Sequence, residues 1–145
     1  MERKPAPFMY GIQNPLAMVE IGTSGRKTVK VTAQNTALAL GSGTLEVFAT
    51  PAMIALIEAT ASESVASQLD EGSSTVGTHL DVAHSAATPI GMEVTCETEL
   101  VEVDRRRLVF SVKVYDSAGE VGSGTHERFV VDNAKFMSKA QAKLL

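Results

Sequence analysis

The chain has 145 residues, 44% of them hydrophobic and 21% charged, which is the composition of one ordinary globular domain. A formal net charge of -4 with no basic stripe argues against nucleic acid or an anionic membrane as a partner. No run of about 18 apolar residues could span a bilayer, and the single cysteine, Cys96, predicts a cytoplasmic location.

The first residues show no periodicity. Residues 1–17 contain three of the five prolines and predict a loosely held extension, followed by a single domain over residues 18–145. A turn around Gly25 and a first strand at Val29-Lys30-Val31-Thr32 come next. Gly41-Ser42-Gly43 then predicts a flexible loop.

Thr50-Pro51 predicts the start of a helix. Threonine is a favoured N-cap, and proline at the first helical position sacrifices no hydrogen bond. From Ala52 to Val65 the sequence is apolar on almost every side, so we expect this helix to be buried on most of its surface.

The rest of the chain predicts strands. Alternating or β-rich runs cover residues 75–84, 92–103, 107–115 and 120–131, and the last two connections between them are short. Short connections between long strands predict an antiparallel meander. Residues 133–145 predict a terminal helix. Together these elements predict an α+β fold in which an antiparallel sheet wraps around one central buried helix.

Three polar side chains could form a hydrolytic site. Glu58 lies inside an apolar helix, where an unpaired carboxylate is costly, although a polar stripe reaching solvent would also explain it. Thr50 lies eight positions earlier on broadly the same side of the helix, although a role as the helix N-cap would by itself explain a threonine there. His84 ends an apolar strand face and could be structural. A hydroxyl, a carboxylate and an imidazole can together attack, orient and transfer a proton.

The other candidates have simpler explanations. His79 lies on the opposite strand face from His84 and is expected to face solvent. His126 could be the cross-strand partner of a carboxylate. Cys96 lacks a cysteine partner or a nearby histidine, so we interpret it as a small apolar filler.

Four sequence blocks carry a resemblance to a known family. They are the helix that holds Glu58 and the blocks Glu46-Val47-Phe48-Ala49-Thr50, His84-Ser85-Ala86-Ala87-Thr88-Pro89 and Gly122-Ser123-Gly124-Thr125-His126-Glu127-Arg128. Over about residues 30–135 the chain resembles the fluoroacetyl-CoA thioesterase-like family of hot-dog proteins. The resemblance therefore implies a hot-dog fold and acyl-CoA as the partner.

The resemblance also assigns roles. In that family a Thr, a Glu and a His act together, and the motifs place them on Thr50, Glu58 and His84. Gly77 matches a glycine whose backbone lies close to the acyl group, and Arg128 matches an Arg of the last block, for the CoA side or a subunit interface. Neither a cofactor nor a metal is implied. Because an unpaired sheet edge is usually covered, and hot-dog domains commonly pair, we predict a homodimer.

One departure affects the substrate. The fluoroacetate-specific member carries phenylalanines in a lid where this chain has Gly41-Ser42-Gly43-Thr44. We therefore predict a thioesterase for a short or medium acyl-CoA without strong selection for fluoroacetyl-CoA. A non-catalytic acyl-CoA-binding domain and an enoyl-thioester hydratase or dehydratase are the alternatives.

Overall fold

Five antiparallel strands and one long helix form the fold in the computed structural model, which describes residues 19–145. The extension predicted at residues 1–17 and the domain start at residue 18 lie outside the described residues. The elements are β1 (Ser24–Lys30), α1 (Ala37–Leu40), α2 (Thr50–Val65), β2 (Ser73–His84), β3 (Glu93–Asp104), β4 (Arg107–Asp116), β5 (Gly119–Asp132) and α3 (Asn133–Gln141).

The sheet order is β1-β3-β4-β5-β2, and every neighbouring pair is antiparallel. The meander prediction is right for β3, β4 and β5, which are joined by short turns. It is wrong for β2, which pairs with β5 at the far side rather than with β3. Residues 85–92 are long enough to make this crossing, and the backbone bonds Ser85 N–H to Val121 (2.7 Å) and Phe48 N–H to Thr88 (2.9 Å) hold the link in place.

The first strand begins earlier than predicted, because Gly25 lies within β1 rather than in a turn. A Cβ atom at Gly25 would come within 2.8 Å of the Ser64 Cβ and 2.9 Å of the Thr60 carbonyl oxygen. Glycine is therefore needed here for α2 to approach β1 closely.

Helix α2 packs one face against the sheet. Its buried residues are Met53, Leu56, Ile57, Thr60, Ala61 and Val65. Ala55 is exposed and Ile54 is half-buried, so the expected burial on most sides is not reached within a single chain. The N-cap is Ala49, which makes no side-chain cap, and Thr50 is the first helical residue. The prediction of Thr50 as the cap is therefore wrong by one position.

The core lies between α2 and the sheet, where Phe48, Met53, Ile57 and Phe110 are among the largest fully buried side chains. Cys96 is buried in the same cluster as Phe48, Met53 and Ile57, and burial raises the pKa of its thiol to about 11. A protonated, inaccessible thiol fits the interpretation of Cys96 as a filler.

The predicted terminal helix is α3, where the Asp132 side chain accepts a bond from the Lys135 backbone N–H. Within residues 19–145, no helix has both the length and the apolar character needed to cross a membrane.

Candidate active site

Thr50 and His84 meet where α2 begins and β2 ends. Their Oγ1 and Nδ1 atoms are 2.7 Å apart, a hydrogen bond that joins residues 34 positions apart in the chain. Because Ala49 occupies the N-cap position, the Thr50 hydroxyl is not used to cap the helix. The pairing of His84 with Gly122 of β5 holds the end of β2 beside the helix start.

The environment of His84 favours a neutral imidazole. Burial lowers its pKa below the usual 6.5, and a backbone hydrogen bond with Ala86 opposes this effect. Its Nε2 atom is buried and has no protein partner among residues 19–145. A neutral ring has one nitrogen that accepts a proton, which is the requirement for a general base near neutral pH.

An open cleft of about 280 Å³ lies beside this pair and is lined by Thr50, His84, Phe48, Ala86 and neighbouring residues. Residues 36–48 form its flap, in which Leu38 donates a backbone bond to the Leu45 carbonyl at 3.1 Å. Leu38, Leu40 and Leu45 are exposed on the flap. Apolar side chains therefore flank residues 41–44, the small residues that replace the phenylalanine lid.

Glu58 belongs to a second group of residues. Its Oε2 atom accepts a hydrogen bond from Arg128 Nη1 at 3.2 Å, and its side chain is 40% exposed. Along the helix axis, eight residues separate it from Thr50 by about 12 Å. Within the described chain, the structure thus brings Thr50 and His84 together and places Glu58 apart from them.

Arg128 is the buried centre of this second group. Its side chain is 7% exposed, and it donates from Nε to Thr75 Oγ1 (2.7 Å) and from Nη2 to the Thr75 carbonyl (2.9 Å). Burial lowers the pKa of Arg128, while the neighbouring Glu58 raises it. A guanidinium held from several sides is a fixed, directional donor for the carboxylate.

Gly77 leaves the space that the Glu58 carboxylate occupies. A Cβ atom at this position would lie 2.1 Å from Glu58 Oε2, so only glycine leaves room for the carboxylate. The register of β2 against β5 shifts between Gly77 and His79, and β-bulges of this kind often redirect side chains beside functional sites.

Sequence reasoning missed the role of His126 in this group. Its Nδ1 is 2.9 Å from the His79 carbonyl and its Nε2 is 3.1 Å from Arg128 Nη1, so a carboxylate is not its direct partner. The signal was available, because His126 and Arg128 are two positions apart on β5 and therefore share a face. The side chain of His79 is exposed, as predicted.

A sheet of this topology around a central helix, with a hydroxyl–imidazole pair at the helix start, defines a hot-dog protein with the groups of a hydrolytic site. Residues 31–134 match the family described as fluoroacetyl-CoA-specific thioesterase (FlK). The chain belongs to this family.

Individual relatives agree with this assignment. The fluoroacetyl-CoA thioesterase of Streptantibioticus cattleyicolor is 44% identical over 98 residues, which cover 68% of this chain and 70% of that protein. A solved structure of the fluoroacetyl-CoA thioesterase FlK superposes with a TM-score of 0.82 at 36% identity, covering 86% of this chain and 96% of that one. A hot-dog-like protein from Thermanaerovibrio acidaminovorans gives a TM-score of 0.81 at 27% identity, with coverage of 90% and 97%.

Proposed function

We propose that this protein is a thioesterase that hydrolyses a short or medium acyl-CoA to the free acid and CoA. The observation that carries the proposal is the 2.7 Å contact between Thr50 Oγ1 and His84 Nδ1 at the mouth of a cleft. Membership of a thioesterase family gives the reaction class. The substrate of the Streptantibioticus relative, fluoroacetyl-CoA, belongs to the same chemical class.

The mechanism follows from the geometry of this pair. His84 accepts a proton from the Thr50 hydroxyl or from a water that it activates, and the resulting oxygen nucleophile attacks the thioester carbonyl. Backbone N–H groups at the start of α2, together with the positive end of the helix dipole, stabilise the oxyanion. The C–S bond then breaks, and His84 returns the proton to the departing sulfur. In the Thr50 route, one water then attacks the acyl-threonine carbonyl with His84 as base, and cleavage of the ester bond releases the acid and restores the Thr50 hydroxyl.

Glu58 is the third member of the proposed site. As a carboxylate it orients the attacking water or acts as the base, and Arg128 and Gly77 hold it in position. These roles require Glu58 to come within hydrogen-bond reach of the groups around His84, whereas the two sets are separated along α2 in one chain. A second copy of the chain resolves this separation.

We infer a homodimer from the two edges of the sheet. The β1 edge carries Arg26, Lys27 and Lys30, and charged side chains of this kind protect an edge from pairing. The β2 edge is 12 residues long and pairs only with β5 in the described chain. A long unpaired edge is a template for a second strand, and a twofold axis makes the two β2 strands antiparallel.

Such pairing completes the site. Along β2, Gly77 and His84 are seven residues apart, a distance of about 23 Å. If the two β2 strands pair around Leu80 and Asp81, His84 of one subunit lies opposite Gly77 of the other. Each active site then combines Thr50 and His84 of one chain with Glu58 and Arg128 of its partner.

Two variants of strongly reduced but measurable activity test this arrangement. Thr50→Val removes the hydroxyl with little change in shape, and Glu58→Gln removes the carboxylate charge. In a mixed dimer one site carries both lesions and the other carries neither. Unfolding and refolding an equimolar mixture should therefore restore about a quarter of the wild-type activity, because half the dimers are mixed. A mixture no more active than its two components, or sedimentation of a stable active monomer at micromolar concentration, would contradict shared sites.

The reaction itself is tested with acetyl-, fluoroacetyl-, butyryl- and hexanoyl-CoA, by measuring release of the CoA thiol. We expect release with the wild type and a loss of at least about 100-fold with Thr50→Val. Tight binding without thiol release would instead identify a binding domain. Hydration of crotonyl-CoA without thiol release would identify a hydratase.

We place this activity in the cytoplasm, where acyl-CoA substrates and a reduced thiol would both be expected. The buried free thiol of Cys96 supports this location, because it takes no part in a disulfide.

A further inference from the structure

His126 is fully buried on β5, with an exposure of 0%, and its ring stacks on Phe110 with centroids 6.4 Å apart. A buried imidazole must satisfy both ring nitrogens or lose the hydrogen bonds that water would provide. Both of its nitrogens have protein partners, and neither partner is a solvent-exposed side chain.

Those partners determine where the proton of the ring lies. The His79 carbonyl, 2.9 Å from Nδ1, can only accept, so Nδ1 carries the hydrogen. Arg128 Nη1, 3.1 Å from Nε2, can only donate, so Nε2 presents its lone pair. The surroundings therefore select one neutral tautomer from both sides of the ring.

The hydrogens of Arg128 are then almost fully assigned. Nε and Nη2 donate to Thr75, and the two hydrogens of Nη1 go to His126 Nε2 and Glu58 Oε2. With one Nη1 hydrogen taken by His126, the other points at the carboxylate. Among the described residues no hydrogen bond engages Glu58 Oε1, so this oxygen is left for substrate or water.

We propose that His126 is a positioning residue for the reaction: in its neutral form it accepts one Nη1 hydrogen of Arg128 and thereby directs the other onto Glu58. The proposal rests on the thioesterase function, because it concerns how the carboxylate of that site is oriented. Burial and the nearby Arg128 lower the pKa of His126, whereas the His79 carbonyl, Glu58 and Glu127 act in the opposite direction. Protonation would place a hydrogen on Nε2, facing the Arg128 donor.

Two substitutions separate positioning from simple packing. His126→Phe keeps a ring against Phe110 but removes both hydrogen bonds, whereas His126→Gln keeps an amide oxygen as an acceptor for Arg128. We expect His126→Phe to lower kcat by about 10- to 100-fold with little change in KM, since a shift of about 1 Å in a catalytic group has effects of that size. His126→Gln should recover most of kcat.

Two controls make the result specific. Val94→Ala removes packing at a fully buried position of β3 that makes no side-chain hydrogen bond, so it should lower the melting temperature and leave kcat unchanged. In a Glu58→Gln background, His126→Phe should cost nothing further, because the group it positions is already altered. An equal kcat loss in that background, or wild-type kcat in His126→Phe, would overturn the proposal.

A readout independent of activity separates this proposal from the proposed function. Nitrogen-15 NMR of the ring at neutral pH should show a protonated Nδ1 and an unprotonated Nε2 for His126. A charged ring, or a hydrogen on Nε2, would overturn the inferred positioning role even in an active enzyme. Absence of thioester hydrolysis in the wild type, with the expected tautomer present, would instead count against the proposed function.

Discussion

Adding one methyl group at Gly77 should inactivate the enzyme without unfolding it. The Cβ atom of a Gly77→Ala variant would lie 2.1 Å from Glu58 Oε2 and 3.2 Å from Arg128 Nη1. Non-bonded carbon and oxygen atoms need about 3.2 Å, so the carboxylate must move by roughly 1 Å. A displacement of about 1 Å in a positioned group can reduce turnover by about 100-fold.

The fold should tolerate this change. Within one chain Gly77 lies on an edge strand, and the atom nearest to the added methyl is the end of the flexible Glu58 side chain, which can move at little cost. We therefore expect the free energy of unfolding to change by less than about 1 kcal/mol. Thermal melting and kcat/KM for acyl-CoA hydrolysis, measured on the same preparation, separate the two effects.

A shorter carboxylate provides the matched control. Glu58→Asp withdraws the charged group by one methylene, so the added methyl of Gly77→Ala has less to displace. The loss caused by Gly77→Ala should therefore be smaller in the Glu58→Asp background than in the wild type. The reasoning is refuted if Gly77→Ala hydrolyses acyl-CoA within about threefold of the wild-type rate, or if it is inactive only because it no longer melts cooperatively.

The remaining predictions concern the Thr50–His84 pair, pH and the acyl group. His84→Ala and Thr50→Ala should each lower kcat/KM by about 100-fold or more with the fold intact, which circular dichroism and thiol release check together. Because the pKa of His84 is lowered, the acidic limb of the kcat/KM profile should lie below pH 6.5, and a limb above it would contradict a neutral base. The pKa values of both His84 and His126 are lowered in the folded chain, so as pH falls the unfolded chain binds protons before the folded one does. The contribution of these two residues to the free energy of unfolding is therefore present above pH 6.5 and is lost below it. Melting temperatures measured across this pH range should show the decrease. Finally, kcat/KM should differ by no more than about 200-fold between fluoroacetyl- and acetyl-CoA, because residues 41–44 are small and cannot form an apolar lid over the acyl group. A preference for fluoroacetyl-CoA above about a thousandfold would contradict this and would indicate that the flap leucines form the lid instead.

The strands that follow the helix were predictable because their signals are local. The limits of β3, β4 and β5 differ from the sequence prediction by one residue at most at each end, since alternation and turn residues mark them. The position of β2 in the sheet was not predictable in this way. It depends on pairing with β5, about 50 residues away, and on a crossing whose direction no local pattern encodes.

The candidate site, too, was only partly predictable from the sequence. Residue types and the resemblance predicted a site made of Thr50, Glu58 and His84. Only the folded chain shows that Thr50 and His84 are in contact while Glu58 faces Arg128. Buried networks of this kind depend on side-chain directions from three elements. An Arg on a strand gives no local sign that it will be buried.

Helix α2 begins without a side-chain cap, beside the proposed site. Ala49 supplies no side-chain acceptor to the first turn, although a capping side chain there would add about 1 kcal/mol of stability. Pro51 has no N–H to satisfy, so Ala52 is the residue whose N–H a cap would usually engage. An acyl oxygen bound at this point would take over the missing cap, and product release would take it away again. The first turn of α2 would then be more stable with the acyl group bound than after product release. Part of the binding free energy of a small acyl group would go into ordering this helix end.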